Sequence, residues 1–398
     1  MSSKDKKNKK TLFVLSLVML VNALSYGLII PLLYPYAEKF GLNSFMVGFM
    51  FSIYSVFQFF STPIIGRLSD RYGRKPLLVT SLFGTAVGLI LFAVATNPLM
   101  LFIARIIDGI TGGNNSVAQA VIADQVEVKE RTKYFGIIGA VFGMGFLLGP
   151  ALGGFLSKVS LTFPFVVGAA LAAISAIMAM VLLPETNTDR HKHKVSKEGL
   201  FQFKKIAHSL KIPTIGHILM VVLLSTTAHN IFIMGFQAFS VDVLELGADQ
   251  IGIMYSLIGL LMVLMQAVGI KLLLKILKSK KTILLISALS TSFIMFSFNL
   301  PQSVWLFILI SGAYMIAYAP QMIMTASMIS EYAHEEDQGG ILGINQAYMA
   351  LGQILGPLLA GAANHFHHSA SFSLAGIVLF ATWIVIRQID ESTRKVDL

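Results

Sequence analysis

Cysteine is absent from all 398 residues, which excludes a disulfide framework, thiol catalysis and a thiolate-held metal. Charge is scarce: Asp, Glu, Lys and Arg make up 13% of the chain, against about 25% in a soluble domain. Hydrophobic residues make up 55%, and a soluble fold that apolar lacks the side chains to cover its surface. No G-x-x-x-x-G-K-[ST] stretch occurs, so the phosphate cradle of an ATP-driven pump is missing. Acids number 20 against 30 Lys and Arg. That leaves few carboxylates for chemistry inside an apolar body.

What is present is a succession of apolar blocks of roughly 20 residues, the length that crosses about 30 Å of hydrocarbon as a helix. Twelve spans are predicted, at 11–33, 45–65, 76–96, 98–121, 133–157, 162–183, 213–240, 249–275, 281–300, 303–328, 339–364 and 369–388. Most are apolar right round, as lipid-exposed or bundle-buried helices are. The first is read as a retained span. It is longer than a signal peptide's apolar region, and Pro31, Tyr34 and Pro35 stand where a small-residue cleavage site belongs.

Basic residues set the expected orientation. With the N-terminus inside, every Lys and Arg falls in an inner segment except Lys39 and Lys158 outside and Arg105 within a span. Both termini are therefore expected in the cytoplasm. The net charge of +10 then belongs to short loops facing anionic lipid, and nucleic-acid binding is not expected. Membrane lipid is the expected surrounding, the bacterial cytoplasmic membrane the expected location, and a monomer the expected state.

The chain also repeats itself. Asp124 precedes Gly136 by 12 residues and Gly149-Pro150 by 25 and 26; Glu331 stands in the same relation to Gly343 and Gly356-Pro357. An offset of 207, the separation of Glu331 from Asp124, superposes the fifth span on the eleventh. The polar segment between the sixth and seventh spans divides the chain into residues 1–184, a cytoplasmic linker at 185–212, and residues 213–398. Two related six-helix halves are a transporter architecture, with the solute site near mid-membrane. The expected fold is thus an all-α membrane protein of 12 transmembrane helices in two pseudo-symmetric six-helix bundles.

Three motifs carry a family resemblance. Between the second and third spans the sequence reads Gly66-Arg67-Leu68-Ser69-Asp70-Arg71-Tyr72-Gly73-Arg74-Lys75. Gly66 is expected to permit close helix approach, Gly73 a tight turn, and Asp70 an electrostatic partner for basic groups or a helix N-terminus. The fifth span holds Gly139, Gly143, Gly145, Gly149, Pro150, Gly153 and Gly154, small residues four apart with a kink at the proline. The fourth contains Arg105 followed by Gly109 and Gly113, and Asp124 to Arg131 form the next inner loop. Together these resemble the major facilitator superfamily, in its tetracycline-exporter-like drug:proton antiporter branch. The loop between the eighth and ninth spans has kept its charge and lost the glycine–aspartate pattern.

That resemblance implies a secondary active transporter, not an enzyme, that exports small amphipathic drug-like or metabolite molecules by alternating access. It implies no cofactor: the proton gradient is the energy source, and protons and a small-molecule substrate are the partners. A lipid, glycolipid or siderophore translocator is the alternative. Asp108 is the only acid deep inside a span. A mid-bilayer carboxylate costs ~2.5–3.5 kcal/mol on the insertion scale and marks function by default. Arg105, three residues earlier, shares its helix face. The pair either locks the fourth span in place, or couples a proton to the solute by freeing Arg105 when Asp108 is protonated.

Exporters of this branch generally carry an acid nine residues before the proline of Gly27-Leu28-Ile29-Ile30-Pro31; here that position is Asn22, which cannot carry a proton. Shifting Asn22 by 207 gives His229, whose imidazole titrates near pH ~6.5 in water. His229 is therefore a second candidate for proton coupling. The resemblance further implies a central cavity lined by Asn22, Asp108, His229, Tyr314, Tyr318 and Gln321. No metal site is expected: His191 with His193, and His365 with His367 and His368, lack acids at ligand spacing.

Overall fold

The computed structural model describes residues 3–126, 128–187, 203–300, 303–332 and 338–390. Every regular element among them is a helix. Helix α1 (Ser3–Ile29) continues through a 3-10 turn at Ile30–Leu32 into α2 (Leu33–Glu38); Pro31 lacks an N–H and cannot continue the α-helical ladder. Helices α3 (Ser44–Tyr72) and α4 (Arg74–Ala93) are separated by Gly73 alone, at φ +112°. A side chain there would be strained, so the expected tight turn is made by the residue suited to it.

The fourth predicted span is a broken helix. It opens at α5 (Pro98–Thr111), where the Asn97 side chain accepts from the Met100 N–H at 3.1 Å and Pro98 takes the first turn. It resumes as α6 (Asn114–Gln125) after Gly112 and Gly113. A Cβ on Gly113 would meet the Ile65 side chain at 2.5 Å, so the break lies directly against α3. Helices α7 (Val128–Leu156) and α8 (Phe163–Leu182) complete the first six spans.

The second set begins with the short α9 (Phe203–Ser209) and α10 (Ile215–Asp242). The eighth span is α11 (Ala248–Leu264), a π-helical turn at Met265–Gly269, and α12 (Ile270–Leu277). Then follow α13 (Lys280–Ser297), α14 (Val304–Tyr332), α15 (Gln338–Asn364) and α16 (Ala370–Arg387). Every predicted span lies on one of these helices or helix pairs. Among the described residues ten stretches are long and apolar enough to cross a bilayer; α5–α6 and the glycine-rich α15 account for the other two predicted spans. Of the expected linker, Glu185–Asn187 and residues 203–212 are described, while His191 and His193 lie outside the described residues.

The chain packs as two units. The first comprises residues 1–41, 53–201 and 247–256; the second comprises 42–52, 202–246 and 257–398. In the first, Leu15, Val18 and Met19 of α1 pack with Leu78 and Leu82 of α4 and Val117 and Val121 of α6. In the second, Ile218, Leu219 and Val222 of α10 pack with Leu284 of α13, Met324 and Met328 of α14, and Ile386 of α16. Large apolar side chains such as Phe13, Phe155, Phe293 and Trp305 remain exposed, as expected of helices whose solvent is lipid. The repeat extends to the aromatic packing: Phe92 stacks on Phe165 at 5.2 Å, and Phe298 on Phe372 at 4.2 Å.

Candidate functional site

Arg105 and Asp108 lie one turn apart on α5, with Nη1 and Oδ2 separated by 3.8 Å and side chains only 3% and 6% exposed. Helix α5 holds them in place through its glycines. A Cβ on Gly109 would meet the Tyr54 carbonyl oxygen at 2.7 Å and Phe57 at 2.8 Å, so the Arg105-x-x-x-Gly109-x-x-x-Gly113 stripe is the face laid against α3. That approach sets the guanidinium over the Tyr54 ring at 5.3 Å; the Phe92 ring of α4 covers it at 4.8 Å. Two cation–π contacts and a buried carboxylate thus replace water around the charge. On the far side Thr85 reaches the Asp108 carboxylate, and Gly88 lets α4 lie close to its Cβ. Among the described residues Arg105 Nε and Nη2 have no hydrogen-bond partner, which leaves donors for an entering acceptor. Asn22 is buried in the same unit, and its Oδ1 is unpaired among the described residues.

The second unit holds the other expected cavity residues. The His229 ring lies parallel to Tyr318 at 4.3 Å, and its Nδ1 is 3.3 Å from the Tyr314 hydroxyl. Tyr314 also packs on Phe232 at 4.3 Å. Gln321 sits one turn away with a different role. Its Oε1 accepts from Ser225 at 2.8 Å and its Nε2 donates to Thr291 at 3.0 Å, fully buried. It ties α10, α13 and α14 together behind the aromatic cluster.

The loop motif forms a hub around Arg74, which is nearly buried. Arg74 pairs with Asp70 and with Asp124, the latter at 3.0 Å, and donates to Ser69 Oγ at 2.7 Å. Ser69 in turn donates to the Gly66 carbonyl at 2.6 Å. Asp70 thus meets a basic group, while other parts of the motif differ from what the sequence suggested. Among the described residues Gly66 has open space where a Cβ would stand, so none of them makes the close approach expected there, and its carbonyl is the part in use. The helix N-terminus at the hub is capped by Glu185, whose carboxylate accepts from the N–H groups of Arg74 and Lys75 at 2.9 and 3.3 Å. Asn187 adds a bond to the Asp70 carbonyl at 2.7 Å. Arg71 stands outside this hub, 5.3 Å over the Tyr72 ring, and the side chain of Arg131 lies outside the described residues. The second half keeps a trace of the hub: Lys280 pairs with Glu331, the repeat partner of Asp124, at 2.8 Å.

In the fifth span only part of the expected glycine face is used. Among the described residues, nothing lies within 4 Å of a Cβ placed on Gly139 or Gly143. The packed face is Gly145, Gly149 and Gly153, which bring α7 onto Ala23, Gly27 and Leu28 of α1. Gly154 sits instead against Ala248 and Asp249 at the start of α11, and the Pro150 carbonyl against Gly252. Composition alone could not separate these glycines, because the face depends on which neighbour passes at which angle. Glu185 escaped the sequence reading for the same reason. Its one signal was a lone acid directly after an apolar span.

The Major Facilitator Superfamily model matches residues 15–290 and 272–397. The class H tetracycline resistance protein of Pasteurella multocida is 38% identical over 180 residues, 44% of this chain and 45% of that protein; such matches span about half the length of the relatives concerned. The class C tetracycline resistance protein of Escherichia coli is 27% identical over 95% of this chain and 96% of its own. Multidrug resistance protein 1 of Bacillus subtilis (strain 168) is 28% identical over 98% and 100%. Among solved structures, a human organic anion transporter superposes with TM-score 0.69 at 20% identity, covering 95% of this chain and 99% of that one. A peptide transporter in complex with sulfate superposes with TM-score 0.78 at 14% identity, covering 97% and 98%. With its helices, hub and glycine faces in place, the chain belongs to the Major Facilitator Superfamily.

Proposed function

We propose that this protein is a proton-coupled exporter of small amphipathic, drug-like or metabolite molecules, driven by the proton gradient without a cofactor. The reading is carried by the buried Arg105–Asp108 pair, whose acid is the only one deep inside a predicted span. Similarity to tetracycline and multidrug resistance proteins over nearly the whole chain supports it. In this proposal Asp108 takes up the proton and Arg105, released from the pair, presents its unpaired donors to the solute or to a neighbouring acceptor. Proton and solute then compete for one charge, which is the logic of exchange. Asn22 offers an amide where the family pattern has an acid, so coupling passes to Asp108. His229, Tyr314 and Tyr318 supply a flat aromatic surface suited to planar cargo, and Gln321 braces it. The protein would act as a monomer in the bacterial cytoplasmic membrane with both termini inside.

The test is a transport screen in proteoliposomes holding a pH-sensitive dye. Tetracycline, planar cationic dyes and a labelled lipid are presented in turn. Export of a drug-like compound with counter-movement of protons is the expected result. Movement of the lipid alone, with no proton signal for any soluble compound, would overturn the proposal in favour of a lipid translocator.

A further inference from the structure

Helices α3 and α11 are each shared between the two packing units. The first turns of α3, residues 42–52, belong to the second unit, and those of α11, within residues 247–256, to the first. Both begin with the same pattern, Gly48-x-x-x-Ser52 and Gly252-x-x-x-Ser256, separated by 204 residues. Both patterns dock on a proline inside a helix. A Cβ on Gly252 would overlap the Pro150 carbonyl oxygen, and one on Gly48 the Pro357 carbonyl oxygen. Ser256 Oγ then donates to the Leu147 carbonyl at 2.6 Å, and Ser52 Oγ to the Ile354 carbonyl at 2.7 Å. Leu147 and Ile354 each lie three residues before their proline.

That position matters. A proline inside a helix removes its own rung and strains the next one, from the following N–H to the carbonyl three residues before the proline. In the first unit the Ala151 N–H donates to Ser256 Oγ at 3.2 Å, so the hydroxyl is inserted in that rung. It accepts from one end and donates to the other. A backbone group loosened by a kink must find a partner in a membrane, and here a side chain from a shared helix is that partner. The glycine four residues earlier allows the backbones to come close enough for the hydroxyl to reach.

We propose that Ser52 and Ser256 are a pair of pseudo-symmetric latches, and that the transport cycle must break both to release the first turns of α3 and α11. The inference uses the fold and not the cargo, so it stands or falls separately from the proposed export activity. Each latch holds its segment by one hydroxyl-to-carbonyl bond, and its loss frees a kink carbonyl to take water.

The natural lack of cysteine supplies the assay. Val47 and Ile251 are fully buried, lie in the two docked segments, and are themselves 204 residues apart. Val47→Cys and Ile251→Cys are made singly, and their reaction rate with a maleimide is followed in detergent. Ser52→Ala is expected to speed labelling at position 47 and Ser256→Ala at position 251 by roughly three- to tenfold, the range of hydrogen bonds between membrane helices. Ser→Thr at either latch keeps the hydroxyl and restores the slow rate. Gly48→Ala and Gly252→Ala open the same segments by steric pressure. If the glycine variants speed labelling and the Ser→Ala variants match the parent, the contact is packing alone and the latch is refuted. A Ser→Ala variant too unstable to purify is replaced by Ser→Val, compared with Ser→Thr of the same shape. Equal rates for that pair also refute it.

Discussion

Replacing Asp108 with Asn isolates a charge. Arg105 remains as a buried guanidinium, and its partner at 3.8 Å becomes a neutral amide. At an effective dielectric near ~20, two unit charges at that separation attract by about 4 kcal/mol, much of it offset by the loss of hydration. Removing one member of such a buried pair typically costs ~3–5 kcal/mol, because the remaining charge is left without compensation. The Phe92 and Tyr54 rings, at 4.8 and 5.3 Å from the guanidinium, still face it in the variant. They put the expected loss at the lower end, ~3 kcal/mol. Thermal unfolding in detergent is the stability assay, with the double variant Arg105→Gln/Asp108→Asn alongside. The double variant removes the orphaned charge and should recover most of the loss. Proton-driven transport of whichever compound the screen identifies is then measured for parent, single and double. If Asp108 carries the proton, both variants lose gradient-driven transport, while the single variant, which keeps Arg105, still exchanges solute across the membrane. A stable double variant with proton-driven transport intact would refute the coupling role and leave the pair as a lock on α5.

Other substitutions probe single contacts. Gly153→Ala forces a methyl group into the Leu28 carbonyl and should destabilise by ~2–3 kcal/mol, whereas Gly139→Ala, facing open space, should be neutral or slightly stabilising; thermal melts decide both. Glu185→Gln weakens the cap on α4 and should cost ~1 kcal/mol, again read by thermal unfolding. Arg74→Lys cannot reach Asp70, Asp124 and Ser69 together and should lower stability by more than Glu185→Gln does. His229→Phe keeps the ring stack on Tyr318 and removes the polar contact to the Tyr314 hydroxyl. With coupling on Asp108, the pH profile of transport should be unchanged by His229→Phe and flattened by Asp108→Asn, as measured across a series of imposed pH gradients.

Apolar block length, the scarcity of charge and the 207-residue echo were enough to determine a twelve-span helical membrane protein in two related halves. Burial in lipid acts on each helix separately, so a one-dimensional pattern carries that information. The intramembrane acid and its neighbour three residues away were legible for the same reason, since both lie on one helix face. Only the tertiary structure decided what depends on the meeting of distant segments. It selected Gly145, Gly149 and Gly153 over Gly139 and Gly143 as the packed face, because helix crossing, not glycine spacing, determines where a Cβ has no room. It brought Glu185 to the start of α4, across 111 residues of chain. It also placed Ser52 and Ser256 on carbonyls 302 and 109 residues away along the chain, each loosened by a proline three residues beyond it. A serine in an apolar helix looks the same in sequence whether it bonds its own turn or a neighbour's kink, and only packing tells the two apart.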